Sequence, residues 1–140
     1  MTSDGSSPKE GWREEHLAYL WRNQRLLEGK VSTLDGQELQ VIYPGRRNRG
    51  EGPDFKGAIL ARSGGELIRG DVEVHLRARD WNAHGHGQDG LYRNVILHVV
   101  LWDQGDQALL LPGGGTAPTV ALAPLIGQQS PEVALGPLQA

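Results

Sequence analysis

The sequence predicts an α+β domain, in which a mixed β-sheet carries an N-terminal helix on one face. Near the start, large apolar residues recur at spacings of three and four, which is typical of one face of an α-helix. Further along, apolar and polar residues alternate, as in half-buried strands. The nearly continuous apolar run Val95–Trp102 is typical of a central strand buried on both faces. One helix followed by strands favours a mixed sheet with the helix packed on it.

The predicted helix begins in the segment SPKE. Ser7 is the expected N-cap, Pro8 occupies the first helical position, and Glu10 completes a capping box. The helix is expected to run to about Glu28 and to stop at Gly29. Its inward face is formed by the residues Leu17, Leu20, Trp21, Gln24 and Leu27.

The strands follow at turn signals. The pair Asp35-Gly36 predicts a hairpin turn before a short strand at residues 39–43. Two longer strands, residues 55–62 and 66–77, are joined by a glycine-containing turn. A helical turn is expected at residues 89–93. Two more strands are expected around the glycine-rich turn that follows Trp102.

The predicted organisation is a disordered tail over residues 1–6, a single α/β domain over 7–124 and an irregular tail over 125–140. The second tail is rich in Pro, Gly and Gln and lacks a firm periodicity. Two explanations of it remain open. It docks on a partner domain, or the chain is a piece of a longer protein.

The composition excludes several kinds of site. The chain has no cysteine, so disulfides, thiolate zinc sites and cysteine nucleophiles are excluded. A metal site must therefore use His, Asp and Glu. The first residues lack the apolar core of a signal peptide, and no apolar run approaches the roughly 20 residues of a membrane span. We expect a cytoplasmic protein that does not bind membranes, and the oligomeric state stays open.

An acidic face of one strand is the main candidate site. In GDVEVHL, Asp71, Glu73 and His75 alternate with apolar residues and therefore share one face. Asp54 opens the preceding strand, so it is expected to converge with Glu73. Two adjacent carboxylates repel each other unless a cation lies between them. Mg²⁺ is commonly held by one or two carboxylates with water and phosphate oxygens. Asp54 and Glu73 are therefore predicted to bind Mg²⁺ or Mn²⁺.

Each of these residues also has a structural explanation. Glu73 would be a structural acid if it paired with Arg77 or Arg79, and Asp54 would serve as a turn residue or a cap. His75 would be a strand histidine whose hydrogen bonds are satisfied within the fold. His98, inside the apolar run, is predicted to be a core histidine with a backbone or carboxylate partner.

A histidine-rich loop offers a different metal site. His84 and His86 lie one residue apart, and Asp89 is a possible third ligand. These three residues would bind Zn²⁺. Their glycine neighbours favour a flexible loop, in which the histidines would contact phosphate instead.

A basic loop precedes Asp54. Arg46, Arg47 and Arg49 stand between Gly45 and Gly50, and such a loop would suit phosphate contact. A solvated loop is the commoner meaning of such a run. The net charge of −3 does not by itself favour nucleic-acid binding.

The order of these motifs resembles the PD-(D/E)XK phosphodiesterase superfamily, which has the restriction-endonuclease-like fold. The resemblance rests on Pro53-Asp54 at the opening of one strand and on the acid and His75 of EVH in the next. It implies a restriction-endonuclease-like core, in which Glu15 (or Glu14) on the helix assists catalysis. His75 stands where the superfamily usually has Lys. A histidine can orient or deprotonate water, and Lys56 is a candidate for the missing cation.

A closer resemblance covers residues 15–100. It is to the bacterial DUF2851 family of uncharacterised proteins, and the motifs that carry it are EHLAYLW, GPDF, GDVEVH, DW, HGHGQDGLY and NVILHVV. Members of that family are considerably longer, and its name carries no assigned activity.

The leading hypothesis is a Mg²⁺- or Mn²⁺-dependent phosphodiesterase of nuclease type that acts on nucleic acid. Asp54 and Glu73 would hold the metal, His75 would position water, and Glu15 would assist from the helix. Its rival is a non-catalytic domain that keeps the fold and binds nucleic acid or a protein. A zinc hydrolase built on the histidine loop is the third hypothesis. The substrate-binding residues are predicted to be Arg46, Arg47, Arg49 and Lys56.

Overall fold

A mixed β-sheet organises the chain. The computed structural model describes residues 11–77, 81, 89–102 and 109–136. In this part of the chain, seven strands form the main sheet, namely β1 Lys30–Ser32, β2 Glu38–Tyr43, β3 Arg46–Arg47, β4 Phe55–Arg62, β5 Leu67–Arg77, β6 Val95–Trp102 and β9 Thr119–Ala121. A separate hairpin joins β7 Leu109–Leu110 and β8 Thr116–Ala117. The helices are α1 Glu14–Asn23, α2 Ala123–Ile126 and α3 Pro131–Leu135, with a 3₁₀ turn at Gly90–Tyr92.

The sheet has the order β1-β2-β4-β5-β6-β9, and β3 also pairs with β4. The strands from β1 to β5 are antiparallel neighbours, whereas β6 runs parallel to both β5 and β9. A parallel pair needs a crossover connection, which here is the segment between β5 and β6. The prediction of a mixed sheet is confirmed, and so is the buried central position of β6.

The first helix is shorter than predicted at both ends. It begins at Glu14, because Gly11 (φ +90°) and the extended residue Arg13 interrupt any helix coming from residues 7–10, which lie outside the described residues. The backbone N–H of Arg13 donates to His16 Nδ1 at 3.0 Å and fixes the start. The predicted stop at Gly29 is wrong. The helix ends at Asn23, because the next residue turns left-handed (φ +60°).

The sheet buries apolar side chains on both faces. Helix α1 packs Leu17, Leu20 and Trp21 into the larger core, as the periodicity predicted, together with the inward residues of the central strands. Those strand residues are Val72, Val74, Leu97, Val99 and Leu101. The smaller cluster consists of Trp81, Tyr92, Val95, Leu109 and Ala117. Strand β5 thus contributes its valines to the core and the polar residues that alternate with them to a polar cluster.

The end of the described chain is helical where an irregular tail was predicted. Ser130 caps α3, its Oγ accepting from the Val133 N–H, and Pro131 takes the first helical position. Pro131 and Leu135 are buried, so α3 belongs to the domain. No helix in the residues that the structure describes is long and apolar enough to cross a membrane.

The close approach of β5 to the start of β6 depends on Gly70. A methyl group on its Cα would overlap the Ile96 side chain and lie 2.5 Å from the Asn94 carbonyl oxygen. We therefore expect Gly70→Ala to lower the free energy of unfolding by about 1–3 kcal/mol, measured by urea denaturation. Gly50→Ala is the control, because its new methyl would meet its nearest neighbour at 3.6 Å. Equal stability of the two variants would contradict this account of the β5–β6 contact.

Candidate functional site

Asp54 and Glu73 lie side by side at the start of β4. The antiparallel register sets Phe55 opposite Val72, which brings the residue before β4 next to Glu73. The Asp54 backbone N–H donates to Glu73 Oε1 at 3.1 Å, and the Val74 N–H donates to Asp54 Oδ2 at 2.9 Å. Each acid is thus held by the backbone of the other strand.

This arrangement shifts the ionisation of Glu73. The residue is 4% exposed. Burial raises the pKa of Glu73 to about 10, with further contributions from the negative charge of Asp54 and a hydrogen bond between the two side chains. At neutral pH Glu73 therefore keeps its proton.

Two buried histidines continue from Glu73 into the sheet. His75 Nε2 lies 3.2 Å from Glu73 Oε2, and His75 Nδ1 lies 2.7 Å from His98 Nε2. The parallel register sets His98 beside Glu73, and the two rings meet edge to face with centroids 4.9 Å apart. His75 and His98 are 1% and 0% exposed, and the Trp81 ring packs 5.5 Å from His98. His98 is a core histidine as predicted, and among the described residues its ring contacts a second histidine, His75. The backbone or carboxylate partner expected for His98 stays a prediction.

Asp71 has a different task from Glu73, although both belong to the same strand. Its Oδ1 accepts from the Gly57 N–H at 3.1 Å, where β4 has an irregular register and Gly57 adopts φ +74°. Its Oδ2 lies 3.8 Å from the Lys56 Nζ. Asp71 therefore supports a β-bulge, and the structure pairs Lys56 with this acid.

Of the two helix acids, Glu14 acts on the site. Its charge is among the causes that raise the pKa of Glu73. Glu15, the residue favoured from the sequence, is exposed and lines a small pocket with Arg47 and Arg49. The catalytic role predicted for Glu15 remains a prediction.

The three arginines of the basic loop have different environments. Arg47 Nη1 donates to the carbonyl oxygen and to Oδ1 of Asp54, each at 3.1 Å, and its guanidinium lies 5.3 Å from the centre of the Phe55 ring. Arg49 is exposed and lines the same pocket as Glu15. Arg46 is exposed on β3.

Two of the three predicted zinc ligands lie outside the described residues. His84 and His86 fall in residues 82–88, outside the described residues. Asp89, the expected third zinc ligand, is exposed and caps the 3₁₀ turn by accepting from the Leu91 N–H at 3.0 Å. Within the described ranges, no group of three or more His, Asp or Glu side chains is arranged to hold a metal ion. The acids that do meet are the pair Asp54 and Glu73.

Comparison with known proteins gives one match. The family model described as "Protein of unknown function (DUF2851)" matches residues 14–134. The chain belongs to the DUF2851 family. The match contains the acid pair, both buried histidines and the basic loop. Neither the curated proteins nor the solved structures gave a match.

Sequence reasoning missed two residues of the candidate site in this DUF2851 protein. His98 was hidden in an apolar run, and only its parallel pairing with β5 brings it to His75. Tyr92 is buried against Trp81, with ring centroids 5.6 Å apart. Burial, followed by the charges of Glu73 and Asp54, raises the pKa of Tyr92 to about 12. The sequence signal available for Tyr92 was its position as an aromatic residue shortly before the apolar run that forms β6.

The raised pKa of Glu73 makes the stability of this DUF2851 protein dependent on pH. Between the reference pKa of 4.5 and about 10, the folded state holds a proton that the unfolded state has lost. Without divalent metal, the free energy of unfolding should therefore fall as pH rises through this window, by at most about 1.4 kcal/mol per pH unit from this group. Glu73→Gln cannot titrate and should show a flatter profile in urea denaturation.

The control for this experiment is Glu66→Gln, which alters an exposed carboxyl group at the other end of β5. Its profile should follow that of the wild type. A Glu73→Gln profile as steep as the wild type would show that Glu73 is ionised in the folded protein.

Proposed function

We propose that this protein is a Mg²⁺- or Mn²⁺-dependent phosphodiesterase that acts on nucleic acid, with Asp54 and Glu73 as the metal ligands. The observation that carries the proposal is the contact between these two carboxyl groups, in which burial and the negative charge of Asp54 raise the pKa of Glu73. A divalent cation would replace the Glu73 proton and remove the repulsion.

The donor set fits such an ion. Both side chains offer oxygen, which Mg²⁺ and Mn²⁺ prefer over nitrogen and sulfur. Each carboxylate oxygen has a protein partner within 3.2 Å and keeps further lone-pair capacity for a metal. Water and a substrate phosphate would complete the coordination, as is usual for Mg²⁺. When bound, the ion would supply an activated water and stabilise charge on the phosphate.

The surrounding residues have separate roles in this proposal. Arg47 partly offsets the charge of Asp54 at the open side. His98 holds the His75 ring, and His75 in turn contacts the inner oxygen of Glu73. Both nitrogens of the buried His75 have protein atoms within hydrogen-bond distance, so the geometry favours His75 as a positioning residue for Glu73. Its predicted action on water stays a prediction.

The strand order gives additional support. A helix, a strand opened by Pro53-Asp54 and an antiparallel strand with Glu73 follow the order that the PD-(D/E)XK resemblance implies. The departure is His75 at the usual lysine position. This departure favours the second candidate, a domain that keeps the fold and binds nucleic acid without cleaving it.

Metal binding and cleavage are tested with Asp54→Asn and Glu73→Gln, which keep side-chain size and each replace one of the two proposed carboxylate ligands with an amide. We expect Mn²⁺ to raise the wild-type Tm by mass action and to leave the Tm of both variants nearly unchanged, as measured by thermal melting with and without chelator. Cleavage of labelled single- and double-stranded oligonucleotides should require Mn²⁺ or Mg²⁺. It should fall at least about 100-fold in each variant, since loss of a supporting residue alone often costs 10–100-fold.

Glu66→Gln serves again as the control and should respond to Mn²⁺ as the wild type does. A metal-dependent Tm shift without cleavage would favour the non-catalytic candidate. Equal Mn²⁺ shifts in all four proteins would remove Asp54 and Glu73 as ligands. Retention of Zn²⁺ by both variants would direct attention to the histidine loop.

A further inference from the structure

A small pocket with a volume of about 190 Å³ lies between α1 and the basic loop. We call it the arginine pocket, and it is lined by Glu15, Ala18, Tyr19, Arg22, Arg47 and Arg49. We propose that the arginine pocket binds a backbone phosphate of a nucleic-acid strand, next to the phosphate at the Asp54–Glu73 pair. The position of this phosphate next to the metal site rests on the proposed function. Binding of nucleic acid by the pocket can be tested without cleavage.

Hydrogen bonds fix the position of α1 relative to the basic loop, and these two elements form the walls of the pocket. Trp21 Nε1, on α1, donates to the Pro44 carbonyl oxygen at 2.8 Å, just before the basic loop. Asn48 folds the loop itself, because its Nδ2 donates to the carbonyl oxygens of Glu51 and Pro53, each at 2.9 Å, and its Oδ1 accepts from the Gly50 N–H. The loop that carries the arginines is therefore structured before any ligand arrives, which lowers the entropic cost of binding.

The charge of the pocket is suited to an anion. Three guanidinium groups and a single carboxylate line it, in a chain whose net charge is −3. Within the described part of the chain, neither Arg22 nor Arg49 forms an ion pair, and both are exposed. Their donors are therefore available to a phosphate, whose planar pairs of oxygens match the guanidinium fork.

Arg47 connects the pocket with the acid pair. The residue lines the pocket, and its Nη1 is 3.1 Å from Asp54 Oδ1. Stacking on Phe55 and the bond to the Asp54 carbonyl oxygen restrict its side chain. A nucleic-acid strand with a phosphate in the arginine pocket would therefore lie close to the proposed metal ligands, with only the Arg47 guanidinium group between them. A half-buried tyrosine, Tyr19, adds a hydroxyl donor that is indifferent to base identity.

The pocket lining distinguishes between arginines that the sequence had grouped together. Arg46 belongs to the same run but is absent from the lining, whereas Arg22 comes from the helix. The inference thus assigns phosphate contact in the pocket to Arg22 and Arg49.

The test compares two double variants with the same change in net charge. Arg22→Gln/Arg49→Gln removes two arginines of the pocket, and Arg25→Gln/Arg69→Gln removes two exposed arginines outside it. Binding of a fluorescein-labelled single-stranded oligonucleotide is measured by anisotropy in chelator, where no metal-dependent cleavage occurs. We expect Kd to rise about tenfold or more in the pocket variant only, and the slope of log Kd against log salt to fall by about 0.7, the value for one lost phosphate contact on a single strand.

Equal weakening in both double variants, or none in either, would overturn the proposal. Displacement of the oligonucleotide by micromolar inorganic phosphate would also overturn it, because it would assign the pocket to a free phosphate compound. A Mn²⁺-dependent cleavage assay distinguishes this inference from the proposed function. The pocket variant should show a raised KM with kcat nearly unchanged, whereas Glu73→Gln should lower cleavage at least about 100-fold without weakening oligonucleotide binding in chelator.

Discussion

The Glu73 carboxyl group lies almost fully buried beside that of Asp54, and the surrounding structure makes this position tolerable. A buried ionised acid is costly unless it is neutralised or paired. Here the Asp54 backbone N–H, His75 and a retained proton share that task, while Arg47 offsets the charge of Asp54. Because these contacts come from three different strands, the pair exists only when β3, β4 and β5 are assembled.

The parallel pairing of β5 and β6 extends this arrangement inward. It sets His98 next to Glu73 and within 2.7 Å of His75, so that two imidazoles lie in the sheet where an apolar run had indicated only core. The same two strands bury Val72, Val74, Leu97 and Val99 on the helix side. Period-two alternation therefore lets two strands supply the main core and support the candidate site, and a change of register by one residue would damage both.

A band of polar groups extends from the surface to the interior. It begins with the exposed arginines that line the pocket beside Arg47, continues through the contact of Arg47 with Asp54 and of Asp54 with Glu73, and ends at the buried histidines. Its outer part is cationic and suits a polyanion, whereas its middle is anionic and suits a divalent cation. An anionic substrate and a cation that neutralises the acids are complementary requirements of one phosphodiesterase site, which is why we favour that function for this member of the DUF2851 family.

The amino-acid pattern by itself determined the elements whose signals are local. These include the inward face of α1, the 55–62 strand, its hairpin partner and the buried β6, since periodicity and turn residues act over a few positions. It also singled out Asp54, Glu73 and His75, because polar residues alternating with valines are unusual in a buried strand. The tertiary structure decided that Glu14 is the helix acid whose charge reaches Glu73, that Lys56 is paired with Asp71, and that His98 supports His75. These outcomes depend on strand register, on a β-bulge and on the crossing of a helix over the sheet. Such features arise from contacts between residues far apart in the chain, and a local pattern of residue types does not encode them.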